Sequence, residues 1–296
     1  MLGRRTAGHM RHPRGISPHH RFRAVLGGRV ERWTRVVVTE VPGHSDCVPV
    51  CLITGPTAGI GYAFARALAA EGHDTVLVAR DEARLRAVAS ELEARYAIAC
   101  EVIVADLSDL EQSRRVEERL RSQPFDVVVN NAGFGMTKAF EDNDIEAEQA
   151  SLDVLVRSVL RLTHAALGPM LAAGRGDVIN VSSVAGYLPR GTYSSHKAWV
   201  TRFSSWASVH YRGRGVRVLA LCPGFVRTEF HARMQADMAG IPTWMWLDAD
   251  AVVREALIDL RKGRAVSIPS KRYKTLTTMA RVMPRDLAER VARIGR

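Results

Sequence analysis

From Val48 onward, short apolar runs alternate with longer stretches in which apolar residues recur at helical spacing. Runs at about 48–54, 75–80, 100–106, 126–131, 177–182, 216–222 and 265–269 are rich in Val and Ile without alternating polar positions, so each predicts a strand covered on both faces. The intervening stretches 60–71, 81–96, 109–123, 144–173, 193–212 and 250–261 predict helices. Such alternation, with right-handed crossovers, predicts a single α/β domain: a Rossmann-like, doubly wound parallel sheet of about seven strands with helices on both faces.

Two stretches break the rhythm. Residues 227–247 carry Met234, Met238, Trp244, Met245 and Trp246 and directly follow a strand's carboxyl end, where open α/β sheets bind ligands, so they predict a lid. Residues 271–296 predict a basic, amphipathic C-terminal helical tail broken at Pro284, with Leu287, Val291 and Ile294 at helical spacing among Arg285, Arg290, Arg293 and Arg296. Such an end packs on the domain, pairs with another subunit or makes peripheral contact with an anionic membrane, and packing is the preferred reading.

Composition narrows the picture. At 296 residues and 47% hydrophobic, the chain can bury one sizeable core, which falls in residues 47–270. Its net charge of +11 is unevenly spread, because residues 1–50 hold nine Arg against Glu31, Glu40 and Asp46, which places +6 there. That distribution points away from nucleic acid, whose phosphates call for a basic face built on the fold. Residues 1–46 read as a disordered basic extension or as a start placed too far upstream. They have the Arg-rich, acid-poor character of a transit peptide without its Ser content or amphipathic period, and no secretory signal is visible. No apolar run reaches the roughly 18–20 residues of a spanning helix. Cys47, Cys51, Cys100 and Cys222 form neither C-x-x-C nor a metal spacing with His, so they read as isolated thiols in a reducing, cytoplasmic setting with no metal site.

Candidate chemistry lies in an ordered set of motifs. In T-G-P-T-A-G-I-G (54–61), Gly55, Gly59 and Gly61 follow a strand and open a helix, where glycines allow a tight turn and a close approach of backbone N–H groups to a diphosphate. The spacing is G-x-x-x-G-x-G rather than G-x-G-x-x-G. N-N-A-G (130–133) ends the fourth predicted strand, Ser183 ends the fifth, and Pro223 and Gly224 follow the sixth. Tyr193 and Lys197, in Y-S-S-H-K, are four residues apart and share one face of a helix. Each piece alone is weak, since Y-x-x-x-K and glycine clusters are common and S-S can simply end a strand. In this order, over about residues 48–270, the chain resembles the short-chain dehydrogenase/reductase family.

The resemblance implies an oxidoreductase that interconverts a carbonyl and a secondary alcohol with a nicotinamide cofactor. It assigns the diphosphate to Gly55, Thr57, Ala58, Gly59, Ile60 and Gly61, the adenine to Asp106 and Leu107, and the adenosine ribose to Asn131, Ala132 and Gly133. Pro223, Gly224, Val226 and Thr228 take the nicotinamide side, Tyr193 is the acid or base, Lys197 also binds the nicotinamide ribose, and Ser183 orients the substrate oxygen. At the end of the second strand the chain reads V-L-V-A-R, and Arg80, rather than an acid, predicts preference for the 2′-phosphate of NADPH, with NADH as the admitted alternative. A free tyrosine titrates near pH 10, and a neighbouring ammonium is expected to lower that value, so Lys197 is expected to bring Tyr193 down. Ser182 is expected to point away from Ser183. His196 reads as a variable position and His164 as a surface or packing residue.

Two departures from the family pattern stand out. Only nine residues separate Ser183 from Tyr193, a short loop for the family, and Leu155 stands where the pattern places an Asn that bends the helix and holds a water beside the lysine. Leu can neither donate nor accept a hydrogen bond, so the proton path must use another group or turnover is slow. The apolar residues of the lid predict a hydrophobic substrate, lipid-like or acyl. The competing reading is a catalytically weak or inactive NADP(H)-binding protein that regulates a partner. A homodimer or homotetramer, paired through the helices at 144–173 and 193–212, is implied by the resemblance alone.

Overall fold

The computed structural model describes residues 48–136, 138–229 and 240–282. The apolar runs form β1 (Val50–Thr54), β2 (Asp74–Ala79), β3 (Cys100–Val104), β4 (Val127–Asn130), β5 (Gly176–Val181), β6 (Val216–Leu221) and β7 (Val266–Ser267). Among the described residues they make one seven-stranded sheet in the order β3-β2-β1-β4-β5-β6-β7, and every pairing is parallel. The helices are α1 (Gly59–Ala70), α2 (Glu82–Tyr96), α3 (Leu110–Arg121), α4 (Ile145–Leu152), α5 (Ser158–Ala173), α6 (Thr192–Tyr211), α7 (Ala249–Arg261) and α8 (Lys271–Val282).

Strand side chains alternate between two cores because successive Cβ atoms point to opposite faces of a sheet. Leu52, Val76, Val128, Val178 and Val218 pack with α3, α5 and α6, whereas Ile53, Leu77, Val129, Ile179 and Leu219 pack with α1, α2 and α7. Register keeps the layers intact, with Leu52 opposite both Val76 and Val128. Each such side chain, fully buried, contributes roughly 1.5–3 kcal/mol of transfer free energy. This double burial is why the runs lack polar alternation.

The sequence of turns departs from expectation in two places. The single helix expected over 144–173 is two α segments joined by a π-helical turn, Asp153–Arg157. Asp153 and Arg157 form an ion pair at 2.8 Å across that turn, and Arg157 also donates to the Ser108 carbonyl. A π turn adds one residue without disturbing the apolar pattern enough to show in a 3.6-residue period. The last strand pairs over two residues instead of five, because Pro269 has no N–H for the ladder.

Order reverses between β1 and β4, which lie side by side while their following helices cover opposite faces. The carboxyl ends of those strands therefore open a crevice, the place where such sheets bind ligands. Helix caps mark the same edge. Asp81, Asp109, Asp144 and Asp248 each accept a backbone N–H at the start of α2, α3, α4 and α7, satisfying donors that a helix start leaves without partners. Ala58 and Gly191, which precede α1 and α6, supply no side-chain cap. These two helices carry the glycine motif and the Tyr/Lys pair.

Candidate active site

The glycine loop is held by its neighbour strand. Thr54 Oγ1 accepts the backbone N–H groups of Asn131 and Ala132, each at 2.9 Å, and Asn131 Nδ2 donates back to the carbonyls of Thr54 and Gly55 at 2.9 and 3.0 Å. Gly55 and Gly59 sit at φ of +66° and +58°, a region L side chains rarely adopt, and a Cβ on Gly61 would run into the Gly55 carbonyl and the Asn131 amide. Ala58 is extended, Thr57, Ala58 and Ile60 stay partly exposed along the loop, and Ile60 also touches the core. With no side-chain cap and no acid in its first turn, the start of α1 presents N–H groups and a positive dipole end, which suits a diphosphate.

Arg80 and Asp106 end β2 and β3 beside this loop. The Arg80 side chain is 70% exposed, with Nη1 3.4 Å from Asp106 Oδ2. Burial works against the Asp106 charge, but the hydroxyl and N–H of Ser108, with Arg80, hold its carboxyl below the usual carboxylate range. Leu107 is buried. On α2, Arg84 reaches Glu229 at 2.9 Å.

Beyond β6, Pro223 and Val226 are buried, and Val226 forms a parallel bridge with Leu247. The Thr228 methyl lies against Gly59, 2.8 Å from where a Cβ would stand, so the post-β6 segment meets the glycine loop directly. Gly133 is exposed above β4. A Cβ there would come within 2.8 Å of Leu155 Cδ2 and 3.9 Å of Lys197 Nζ, which places Leu155 beside the lysine. Leu155 is 1% exposed and belongs to the π turn, so the helix deviates here without the Asn of the family pattern.

Ser183, Tyr193 and Lys197 come together across the β5 end and the first two turns of α6. Ser183 hydrogen-bonds the Tyr193 phenol and also accepts the Ala185 N–H at 3.1 Å. Ser182 points the other way, donating to the Lys197 carbonyl at 2.6 Å and meeting Thr201 Oγ1 at 2.7 Å, so it fixes α6 rather than facing the site. Lys197 Nζ lies 5.7 Å from the centre of the Tyr193 ring and donates to the Val181 carbonyl at 2.8 Å. Burial pushes the Tyr193 phenol up to about 12, opposed by the Ser183 bond. Burial likewise lowers Lys197 to about 8, partly offset by the Cys222 sulfur. The expected lowering of Tyr193 by Lys197 is therefore not found. Lys197 directs one donor to the Val181 carbonyl, and desolvation governs both groups.

His164 is exposed on α5, and His196 Nδ1 faces Ser151 Oγ at 3.3 Å, away from the reacting groups, with burial lowering its pKa. Of the lid, Trp244, Met245 and Trp246 are described, with Phe225 and Trp246 rings 5.8 Å apart; Met234 and Met238 lie outside the described residues. So do residues 1–47 and 283–296, which include the basic extension, Cys47 and the last part of the tail. Two contributors to the site were given no role by the sequence: the Thr54 hydroxyl, which opens the glycine motif but reads there only as the end of a strand, and Tyr273, which lies in no motif.

The chain matches the family model described as short chain dehydrogenase over residues 49–239. It is 32% identical over 184 residues to an uncharacterised oxidoreductase of Staphylococcus saprophyticus, covering 60% of this chain and 79% of that protein. It is also 32% identical over 186 residues to the very-long-chain 3-oxoacyl-CoA reductase of Anas platyrhynchos, a match that spans 60% of each. A short-chain dehydrogenase from Sphingobium yanoikuyae, solved in complex with NADPH, superposes with a TM-score of 0.73 at 29% identity over 80% of this chain and 97% of that one.

Proposed function

This chain belongs to the short-chain dehydrogenase/reductase family and is an oxidoreductase that interconverts a carbonyl and an alcohol; on that premise we propose that it uses NADPH to reduce an apolar carbonyl compound. The observation that carries the reading is the meeting of Ser183, Tyr193 and Lys197 at the mouth of the β1/β4 crevice. When bound, the cofactor supplies the hydride. Tyr193, titrating near 12, holds its proton at neutral pH, the state a general acid needs to protonate the carbonyl oxygen, and Ser183 holds both phenol and substrate oxygen. Lys197 has three N–H donors and uses one on Val181, which leaves others for the nicotinamide ribose.

Gly55, Thr57, Ala58, Gly59, Ile60 and Gly61 would hold the diphosphate, Asp106 and Leu107 the adenine, and Asn131, Ala132 and Gly133 the adenosine ribose. Pro223, Gly224, Val226 and Thr228 would flank the nicotinamide. Preference for NADPH over NADH is supported by the exposed Arg80 and by the NADPH complex of the Sphingobium protein. Exposed Trp244, the Phe225–Trp246 pair and the likeness to a very-long-chain 3-oxoacyl-CoA reductase support an apolar, acyl-like substrate. A second copy of the chain would pair through α5 and α6, where Leu160, Trp206 and Val209 are exposed and the Trp199, Phe203, Trp206 and His210 rings form a ladder along α6.

The test is NADPH and NADH oxidation over a panel of 3-oxoacyl thioesters, hydrophobic ketones and small polar ketones. Turnover is expected with NADPH and the apolar members; good turnover of small polar ketones with rejection of hydrophobic ones would contradict the substrate reading. Leu155 favours a second reading, a cofactor-bound regulator with weak turnover, which tight NADPH binding without oxidation on any member would support.

A further inference from the structure

The family match ends at residue 239, yet part of the wall over the Pro223–Gly224 segment comes from beyond it. Tyr273, in the first turn of α8, is 4% exposed, although its neighbours Lys271 and Arg272 face solvent. A buried phenol needs its hydroxyl satisfied. Its oxygen accepts the Phe225 N–H at 3.1 Å and donates to the Met245 carbonyl at 2.8 Å. The ring lies directly on Gly224, where a Cβ would run into it. Leu247 N–H donates to Phe225 O at 2.7 Å and Arg227 N–H to Leu247 O at 3.0 Å, so one phenol and one short backbone ladder hold residues 225–227 against 245–247. Arg272 adds a bond to the Trp244 carbonyl and lies over the Trp244 ring. From Phe225 the chain runs three residues to Thr228, whose methyl rests on Gly59.

We propose that Tyr273 is a positioning residue for the reaction: it sets the height of the 224–228 segment, and through it the placement of Thr228 and of the wall facing the carbonyl. The inference rests on the reductase reading, and its test is arranged to fail separately. Tyr273→Phe keeps the ring over Gly224 and removes both hydrogen bonds. In the cofactor-free protein, hydrogen exchange at the Phe225 amide is expected to speed up about tenfold as its acceptor is lost, with β1 and β4 unchanged. In turnover, kcat/KM for the carbonyl is expected to fall about tenfold while NADPH affinity stays within about twofold. Gly224→Ala should cause a similar loss by meeting the ring, and should cost nothing further on a Tyr273→Leu background, where the ring is gone.

Unchanged exchange at Phe225, faster exchange with unchanged kcat/KM, or additive losses in the double variant would each overturn the proposal. Wild-type turnover that needs Tyr193 would uphold the reductase whichever way Tyr273 falls. Should no carbonyl be reduced, the reductase reading fails alone. NADPH-induced protection of residues 225–228 then decides: lost in Tyr273→Phe it supports the positioning role, and retained it overturns it.

Discussion

The two halves of the candidate site are built by different means. The half proposed for the diphosphate and adenosine ribose, from Thr54 to Gly61 with Asn131 and Ala132, is held by backbone and by one short side-chain clamp between adjacent strands. The half proposed for the nicotinamide and the substrate, from Pro223 to Thr228 and Thr243 to Leu247, is held by a short backbone ladder together with a phenol and a guanidinium that arrive from α8, 48 residues further along the chain in the case of Phe225 and Tyr273. The first kind of construction leaves little room for variation, because Gly55 and Gly59 sit at positive φ and a Cβ on Gly61 would meet the Gly55 carbonyl and the Asn131 amide. The second can be re-aimed by moving one helix.

The largest expected effect strikes the rigid half. Gly61→Ala places a methyl on the Gly55 carbonyl and the Asn131 amide, so NADPH binding, followed by intrinsic fluorescence, should be lost or weakened at least about a hundredfold, or the protein should lose several kcal/mol of stability. Near-normal binding and melting would show that the loop is looser than its geometry. Arg80→Ala sharpens the comparison from the same half: NADPH affinity should fall about ten- to a hundredfold with NADH little changed, as expected for one charge-assisted contact to a phosphate. Equal effects on both cofactors would remove Arg80 from the phosphate.

A pH profile probes the groups between the halves. Lys197, lowered to about 8, carries its proton below that pH and loses it above, whereas Tyr193 keeps its own until about 12. kcat/KM for reduction should therefore be flat from about pH 6 to 7.5 and decline as pH rises through about 8. A flat profile to pH 10 would separate Lys197 from the rate. The smallest effect is expected at Leu155. Leu155→Asn should raise turnover a few-fold by restoring a polar route beside Lys197, while lowering stability by about 1–3 kcal/mol through a buried amide. A reduced rate would mean the proton leaves by another path.

Much of this was legible in the chain itself, for reasons that follow the same division. Buried strands such as Val50–Thr54 and Val216–Leu221 announce themselves by apolar runs, and Gly55, Gly59 and Gly61 by a spacing that local geometry demands. Tyr193 and Lys197 share a helix face, so their spacing also survives in one dimension. The π turn at Leu155 and the upward shift of Tyr193 were not legible, and the two-residue β7 was not read. The π turn and the phenol depend on what packs from elsewhere, an Arg157–Ser108 contact and the burial of Tyr193, whereas the short β7 follows from Pro269, which stands inside the stretch read as a strand. Tyr273 is the clearest case, because nothing in K-R-Y-K says that its third residue reaches a backbone N–H on a different strand's end.

The most direct test of the central claim is the rate of carbonyl reduction by NADPH in the wild-type chain beside Tyr193→Phe, with NADPH affinity measured in both. The phenol's proton and its bond to Ser183 predict a fall in kcat of about 10²- to 10⁴-fold with affinity unchanged. Turnover that survives the loss of the hydroxyl would contradict the account and put the acid elsewhere in the crevice.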